Sequence, residues 1–93
     1  MSQYQFITTN DNQKNVKVLM GWDRPLQYHY LVIEHNQKYL YSNLDDDHFP
    51  KDLNYFYAKL NQFGINPPDS LYQKLLHDEA VNRGNHFEDY GNV

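Results

Sequence analysis

The chain contains no cysteine, and that one absence removes a disulfide framework, a thiol nucleophile and every cysteine-ligated metal site, while fitting a reducing compartment. No repeat or low-complexity segment occurs, and glycine and proline number only four each. Apolar residues nowhere run long enough to span a bilayer. Met1 is followed at once by polar Ser2-Gln3-Tyr4-Gln5, with neither a basic nor an apolar leader region. The expectation is a protein that is neither exported by a recognisable signal nor anchored, with the cytoplasm as its default location. Positive charge is also short: eight basic residues against twelve acidic give a formal charge of −4. The average field therefore repels phosphate backbones and anionic lipid surfaces, and neither nucleic acid nor membrane is an expected partner. The histidines at 29, 35, 48, 77 and 86 are scattered, which argues against a pH switch.

What the chain has in quantity is aromatic side chains, nine Tyr, five Phe and one Trp. Much of the buried area must come from rings with polar edges, so the core has hydroxyl groups to satisfy. Ninety-three residues make one domain, near the size at which a single core offsets the entropy of ordering with little to spare.

The first half reads as extended. Residues 3–9 alternate and end in the polar cluster Asn10–Asn15. In 16–22, Val16, Val18, Met20 and Trp22 share one face and Lys17, Leu19 and Gly21 the other, the period of a half-buried strand. Asp23-Arg24-Pro25 breaks the pattern, because proline fixes its own φ and pushes Arg24 towards extended geometry, so the chain reverses. A strand over 26–34 puts Tyr28, Tyr30 and Val32 on one face and His29, Leu31 and Ile33 on the other. Being apolar on both, it is expected at the centre of the sheet. After Glu34–Lys38 turns, 39–42 returns, and the i, i+2 spacing of Tyr39 and Tyr41 predicts a same-face pair.

The second half reads as helical. Pro50 suits a first helical turn, and Leu53, Phe56, Tyr57, Leu60 and Phe63 form a stripe of helical period over 50–63. Gly64 stands where a left-handed cap belongs, and Ile65 is placed to fold back on Leu60. Leu71, Tyr72, Leu75, Leu76 and Glu79 predict a second helix over 68–82 that Gly84 terminates after Arg83. Residues 85–93 read as a tail or short edge strand. The expected fold is α+β: an antiparallel meander of three to four strands, in β-β-β-β-α-α order, with a C-terminal helix hairpin on one face.

Candidate sites are few, and each has a structural alternative. Asp45-Asp46-Asp47-His48 is the densest set of potential ligands. Consecutive loop residues cannot all converge on one ion, however, and acidic charge before a helix already serves the helix dipole. No metal or other cofactor is expected. Trp22, Asp23 and Arg24 place a large ring, an acid and a base at a hairpin tip, the composition of an interface hot spot. The alternative makes Trp22 core, has Asp23 accept turn N–H groups and gives Arg24 an ion pair. His29, between two tyrosines, reads as a structural histidine, because sequence ties no serine, threonine or acid to it. Tyr28, Tyr30, Tyr39 and Tyr41 have the residue type that stacks single-stranded bases, but the basic groove that such binding needs is missing.

The runs Gly21-Trp22-Asp23-Arg24-Pro25-Leu26, Tyr41-Ser42-Asn43-Leu44-Asp45-Asp46 and Asn82-Arg83-Gly84-Asn85 resemble a family of short bacterial proteins of about this length, to which we attach no activity. The resemblance spans 16 to 86 and implies a complete bacterial protein. Strands 16–22 and 39–42 both run antiparallel to the strand between them, so Trp22, Asp23, Arg24, Asn43, Asp45 and Asp46 are expected at one rim. The expected function is protein–protein interaction or a regulatory accessory role, through that rim or the aromatic sheet face, with a homodimer through the sheet as one form. The alternatives are a small-ligand or metal-binding activity at the Asp-rich rim, with Asp23, Asp45, Asp46 and His48, and an acidic inhibitor of a basic nucleic-acid-binding partner. An enzyme is the less expected outcome.

Overall fold

The alternation that begins at Val16 becomes the middle strand of the molecule. The computed structural model describes residues 1–10, 14–43 and 52–93. Within them lie β1 (Ser2–Thr9), β2 (Asn15–Asp23), β3 (Tyr28–His35), β4 (Lys38–Ser42), α1 (Leu53–Gln62), α2 (Leu71–Ala80) and β5 (His86–Asn92). The strands form one sheet in the order β4-β3-β2-β1-β5. All neighbours are antiparallel except β1 and β5, which are parallel. The fold is thus α+β with a mixed sheet of five strands among the described residues, not a purely antiparallel meander of three or four.

The C-terminal segment explains the difference. Residues 86–92 return after the helices and add to the free edge of β1, and that long connection leaves the new strand parallel to its neighbour. The addition also shifts the centre of the sheet, since β2 now has two strands on each side and β3 does not. β3 starts at Tyr28, two residues later than expected, because Arg24–Gln27 close the turn: Gln27 adopts φ 59° and its N–H donates to the Asp23 carbonyl at 2.7 Å. Asn36 and Gln37, both at positive φ, make the tight β3–β4 turn, whose backbone twist matches that of the strands.

The face under the helices carries Tyr4, Phe6, Val16, Val18, Met20, Leu31 and Ile33, all buried. Leu53, Phe56, Leu60, Ile65, Leu71 and Leu75 cover them from above. Each such side chain, fully buried, contributes about 1.5–3 kcal/mol relative to an exposed one. The i, i+2 argument fails at β4. A register shift leaves Leu40 as an extra residue, so Tyr41 pairs with Ile33 on the helix side while Tyr39 pairs with Glu34 on the open side. Tyr39 and Tyr41 therefore do not form a surface pair.

Asp52 is the N-cap of α1, its Oδ1 accepting the Tyr55 N–H at 2.8 Å, so the described helix starts at Leu53; Pro50 lies outside the described residues. At the other end Gly64 (φ 70°) is left-handed, the Ile65 N–H donates to the Leu60 carbonyl at 2.9 Å and the Gly64 N–H to Asn61, as the sequence suggested. α2 is shorter than expected. It stops at Ala80, and Asn82 (φ 51°) takes the left-handed position that Gly84 was expected to supply. Its buried stripe is Leu71, Leu75 and Asp78, while Leu76 and Glu79 face solvent. The Asp78 carboxylate is fully buried, accepting from the Tyr4 hydroxyl at Oδ2 (2.6 Å) and from Arg83 Nη1 at Oδ1 (3.2 Å). Burial, then Asp78, holds the Tyr4 phenol well above its ordinary ionisation range.

Candidate functional site

The Asp23–Tyr28 rung ends the β2–β3 ladder, and there is a cavity on either side of it. On the helix side a cleft of about 240 Å³ is lined by Trp22, Gln27, Tyr28, His29, Asp52, Leu53 and Glu79. On the open side a smaller hollow of about 180 Å³ is lined by Met1, Asp23, Tyr28, Tyr30, Val32 and Asn43. Tyr28 is common to both.

Trp22 belongs to the helix side, and it is a structural residue. Its alternation with Val18 and Met20 turns it under the helices, leaving 5% of it exposed. There it meets the His29 ring edge-on at 5.0 Å and donates from Nε1 to Asn82 Oδ1 at 3.0 Å. The left-handed backbone of Asn82 is what brings its side chain to that indole, and Gln27 Nε2 donates to the same oxygen at 2.7 Å. Gln27 Nε2 also donates to the Arg24 carbonyl, so one amide ties the hairpin tip to the end of α2. His29 is equally buried at 5%, with Nε2 3.1 Å from the Leu75 carbonyl and Nδ1 3.8 Å from Glu79 Oε1.

Asp23 serves the turn as the structural alternative requires, its Oδ1 accepting the Leu26 N–H at 3.2 Å, and it also borders the open-side hollow. Asn43 lies across that hollow from it, buried, with Oδ1 accepting the Leu31 N–H at 3.4 Å. The rim drawn from strand directions therefore brings Asp23 and Asn43 together. Arg24 is exposed and lies beside Gly84, where an added Cβ would stand 3.3 Å from its Nη1. It makes no ion pair among the described residues. Asp45, Asp46 and His48 lie outside the described residues. Among the described residues no three His, Asp or Glu side chains are grouped to hold a metal ion.

Gly21 shapes the open face. A Cβ there would stand 1.9 Å from the Ser2 carbonyl oxygen and 2.7 Å from the Tyr30 hydroxyl, so only glycine admits this approach. Tyr30 lies across it and donates to the Ser2 carbonyl at 2.8 Å, while Ser2 Oγ accepts the Trp22 N–H at 3.0 Å. Burial, with the Asp23 charge adding to it, raises the Tyr30 phenol well above its ordinary pKa. Tyr28 is raised by the same two causes. Sequence reasoning missed Gln27, Asp52, Glu79 and Asn82 as neighbours of Trp22. They reach it from helices 30 or more residues away or from an unusual backbone angle, and the sole available hint was Asn82 ahead of Arg83-Gly84, a C-cap composition.

Comparison with protein-family models, with curated proteins and with solved structures finds no match to this chain. No helix of the described residues is long and apolar enough to cross a membrane.

Proposed function

We propose that this protein is an interaction module that binds another protein through the uncovered face of its sheet, at and around the hollow between Asp23 and Asn43. The observation that carries this reading is that, among the described residues, coverage of the sheet is one-sided. Both helices cover a single face, and the opposite face presents Ile7, Tyr39 and Phe87 to solvent on three different strands, with Tyr28, Tyr30, Leu19 and Val32 half-buried between them. Gln3, Gln5, Lys17 and Glu34 alternate with these rings and aliphatic groups, which is the mixed character of a non-obligate interface. The bond from Tyr30 to the Ser2 carbonyl holds its ring in place beforehand, so less rotamer freedom is lost on binding. Trp22 takes part as the support beneath the rim, not as a contact.

A photo-crosslinking amino acid placed at Tyr39 or Phe87, and in parallel at the exposed helix positions Gln62 and Gln73, tests this in extract of the source cell. Adducts of one defined mass from the sheet positions alone, abolished by Val32→Lys, are expected. Equal capture from both faces, or none from either, overturns the proposal. An adduct at twice the chain mass identifies the partner as a second copy.

A further inference from the structure

The geometry points to the helix-side cleft as a binding site for a cationic group, an alkylammonium or a guanidinium on a short stem. It is lined by Trp22, Tyr28 and Leu53, of which Trp22 turns its ring to the helix side, and its polar groups come from Gln27, His29, Asp52 and Glu79. No lysine or arginine is among the lining residues.

The hydrogen-bond accounting decides the charge of the ligand. His29 Nε2 faces the Leu75 carbonyl at 3.1 Å, and a carbonyl only accepts, so in the neutral ring Nε2 carries the hydrogen and Nδ1 is a lone-pair acceptor. That nitrogen belongs to a side chain 5% exposed and has no hydrogen-bond partner among the described residues. Its charged neighbour is Glu79 Oε1 at 3.8 Å, a second acceptor. Two acceptors facing each other across such a gap are stabilised by a donor placed between them. The donors nearby are already committed: the Trp22 indole N–H to Asn82, and the Gln27 amide to Asn82 and the Arg24 carbonyl. Asp52 gives one oxygen, Oδ1, to the Tyr55 N–H. What the cleft offers is therefore lone pairs, two carboxylates and the Trp22 ring, the complement of a multi-donor cation. At about 240 Å³ the cleft admits a side-chain-sized group and not a nucleotide. The site is independent of the sheet-face interface, since it opens on the other side of Tyr28.

Trp22 is the only tryptophan and lines the cleft, so its fluorescence and its single indole N–H resonance report occupancy directly. The intact protein is titrated with agmatine, with butylamine and with butylamine's neutral isostere 1-butanol. A saturable change with both cations and none with the alcohol is expected. Glu79→Gln, at an exposed position, should weaken the cations about tenfold, the order of one charge-assisted hydrogen bond. Asp69→Asn, an exposed carboxylate away from the cleft, should leave the affinity unchanged. No saturable change, an equal response to the alcohol, or equal affinity in Glu79→Gln and the parent overturns the assignment. A capped arginine peptide titrated beside agmatine separates the sources: tighter binding of the peptide identifies a partner's side chain, and tighter binding of agmatine a free amine.

Discussion

The two helices end in the same backbone motif but not in the same surroundings. After α1 the left-handed position is Gly64, which has no side chain, and the Ile65 N–H bonds back to Leu60. After α2 it is Asn82, the Arg83 N–H bonds back to Asp78, and the Asn82 side chain reaches on to the Trp22 indole and to Gln27. The first end only stops a helix. The second stops a helix, satisfies a buried carboxylate and fixes the tryptophan that walls the cleft. The polar groups differ in the same way: Asp78 on α2 has donors from Tyr4 and Arg83, whereas the buried hydroxyl of Tyr57 on α1 has no hydrogen-bond partner among the described residues. Identical local geometry thus carries very different energetic consequences, depending on which side chains the tertiary fold brings to it.

The contrast breaks hardest at Asp78. Asp78→Ala strips the acceptor from the buried Tyr4 hydroxyl and from Arg83, and should cost about 3–5 kcal/mol in urea unfolding, the range for removing one partner of a buried pair. A cost below that of an ordinary surface substitution would mean that the network contributes nothing. The same chemical change at two tyrosines gives a sharper test. Tyr4→Phe leaves the Asp78 carboxylate short of a donor and should cost about 1.5–3 kcal/mol, whereas Tyr57→Phe removes an unpaired hydroxyl and should be neutral or mildly stabilising. Equal midpoint shifts for the two would erase the distinction between the helices.

At the caps themselves, Gly64→Ala forces a Cβ into a left-handed residue and should destabilise by about 1–2 kcal/mol. Asn82→Gly keeps the backbone relaxed but leaves the Trp22 N–H without its acceptor. It should cost about 0.5–1.5 kcal/mol and move the single indole resonance, while a cap with no tertiary role would leave that resonance in place. The smallest expected effect is acid sensitivity. Lys74 on α2 bonds Glu88 on β5, and this hydrogen bond holds the Glu88 carboxyl below its ordinary pKa. A lowered folded-state pKa gives a contribution that is present above the ordinary carboxylate range and lost as the pH falls through the folded value. Both side chains are partly exposed, so screening limits the pair to at most about 1 kcal/mol. On α1, Lys59 stands instead over the rings of Tyr41 and Tyr55, with no carboxylate in the contact. Stability measured from pH 6 to 3 should therefore fall less steeply in Glu88→Gln than in the parent, and unchanged steepness would show that the pair carries no acid dependence.

Legibility in the sequence followed the range of the interaction. The cap at Gly64 and the alternation from Val16 to Trp22 are short-range patterns, and they are where the residues placed them; of the rim drawn from strand direction, Asp23 and Asn43 line one hollow while Trp22 turns to the other side of the sheet. A period of two puts Tyr39 and Tyr41 on one face only along an unbroken ladder, and one extra residue at Leu40 overturns it. Helical spacing from Leu71 and Leu75 puts Glu79 on the stripe of α2, yet it is Asp78 that is buried there. Its burial makes sense only once Tyr4, 74 positions away, and Arg83 supply donors.

The sequence by itself determined the α+β class, the paired strands about the Trp22–Pro25 turn and the two amphipathic helices, since apolar period and turn chemistry are properties of neighbouring residues. Only the tertiary structure decided that β5 closes beside β1 in parallel, that β2 and not β3 is the centre, that Trp22 is a wall and not a tip, and that His29 shares a cleft with Asp52 and Glu79. Those outcomes depend on which free edge and which buried donors remain when distant segments meet, and no local pattern encodes that balance.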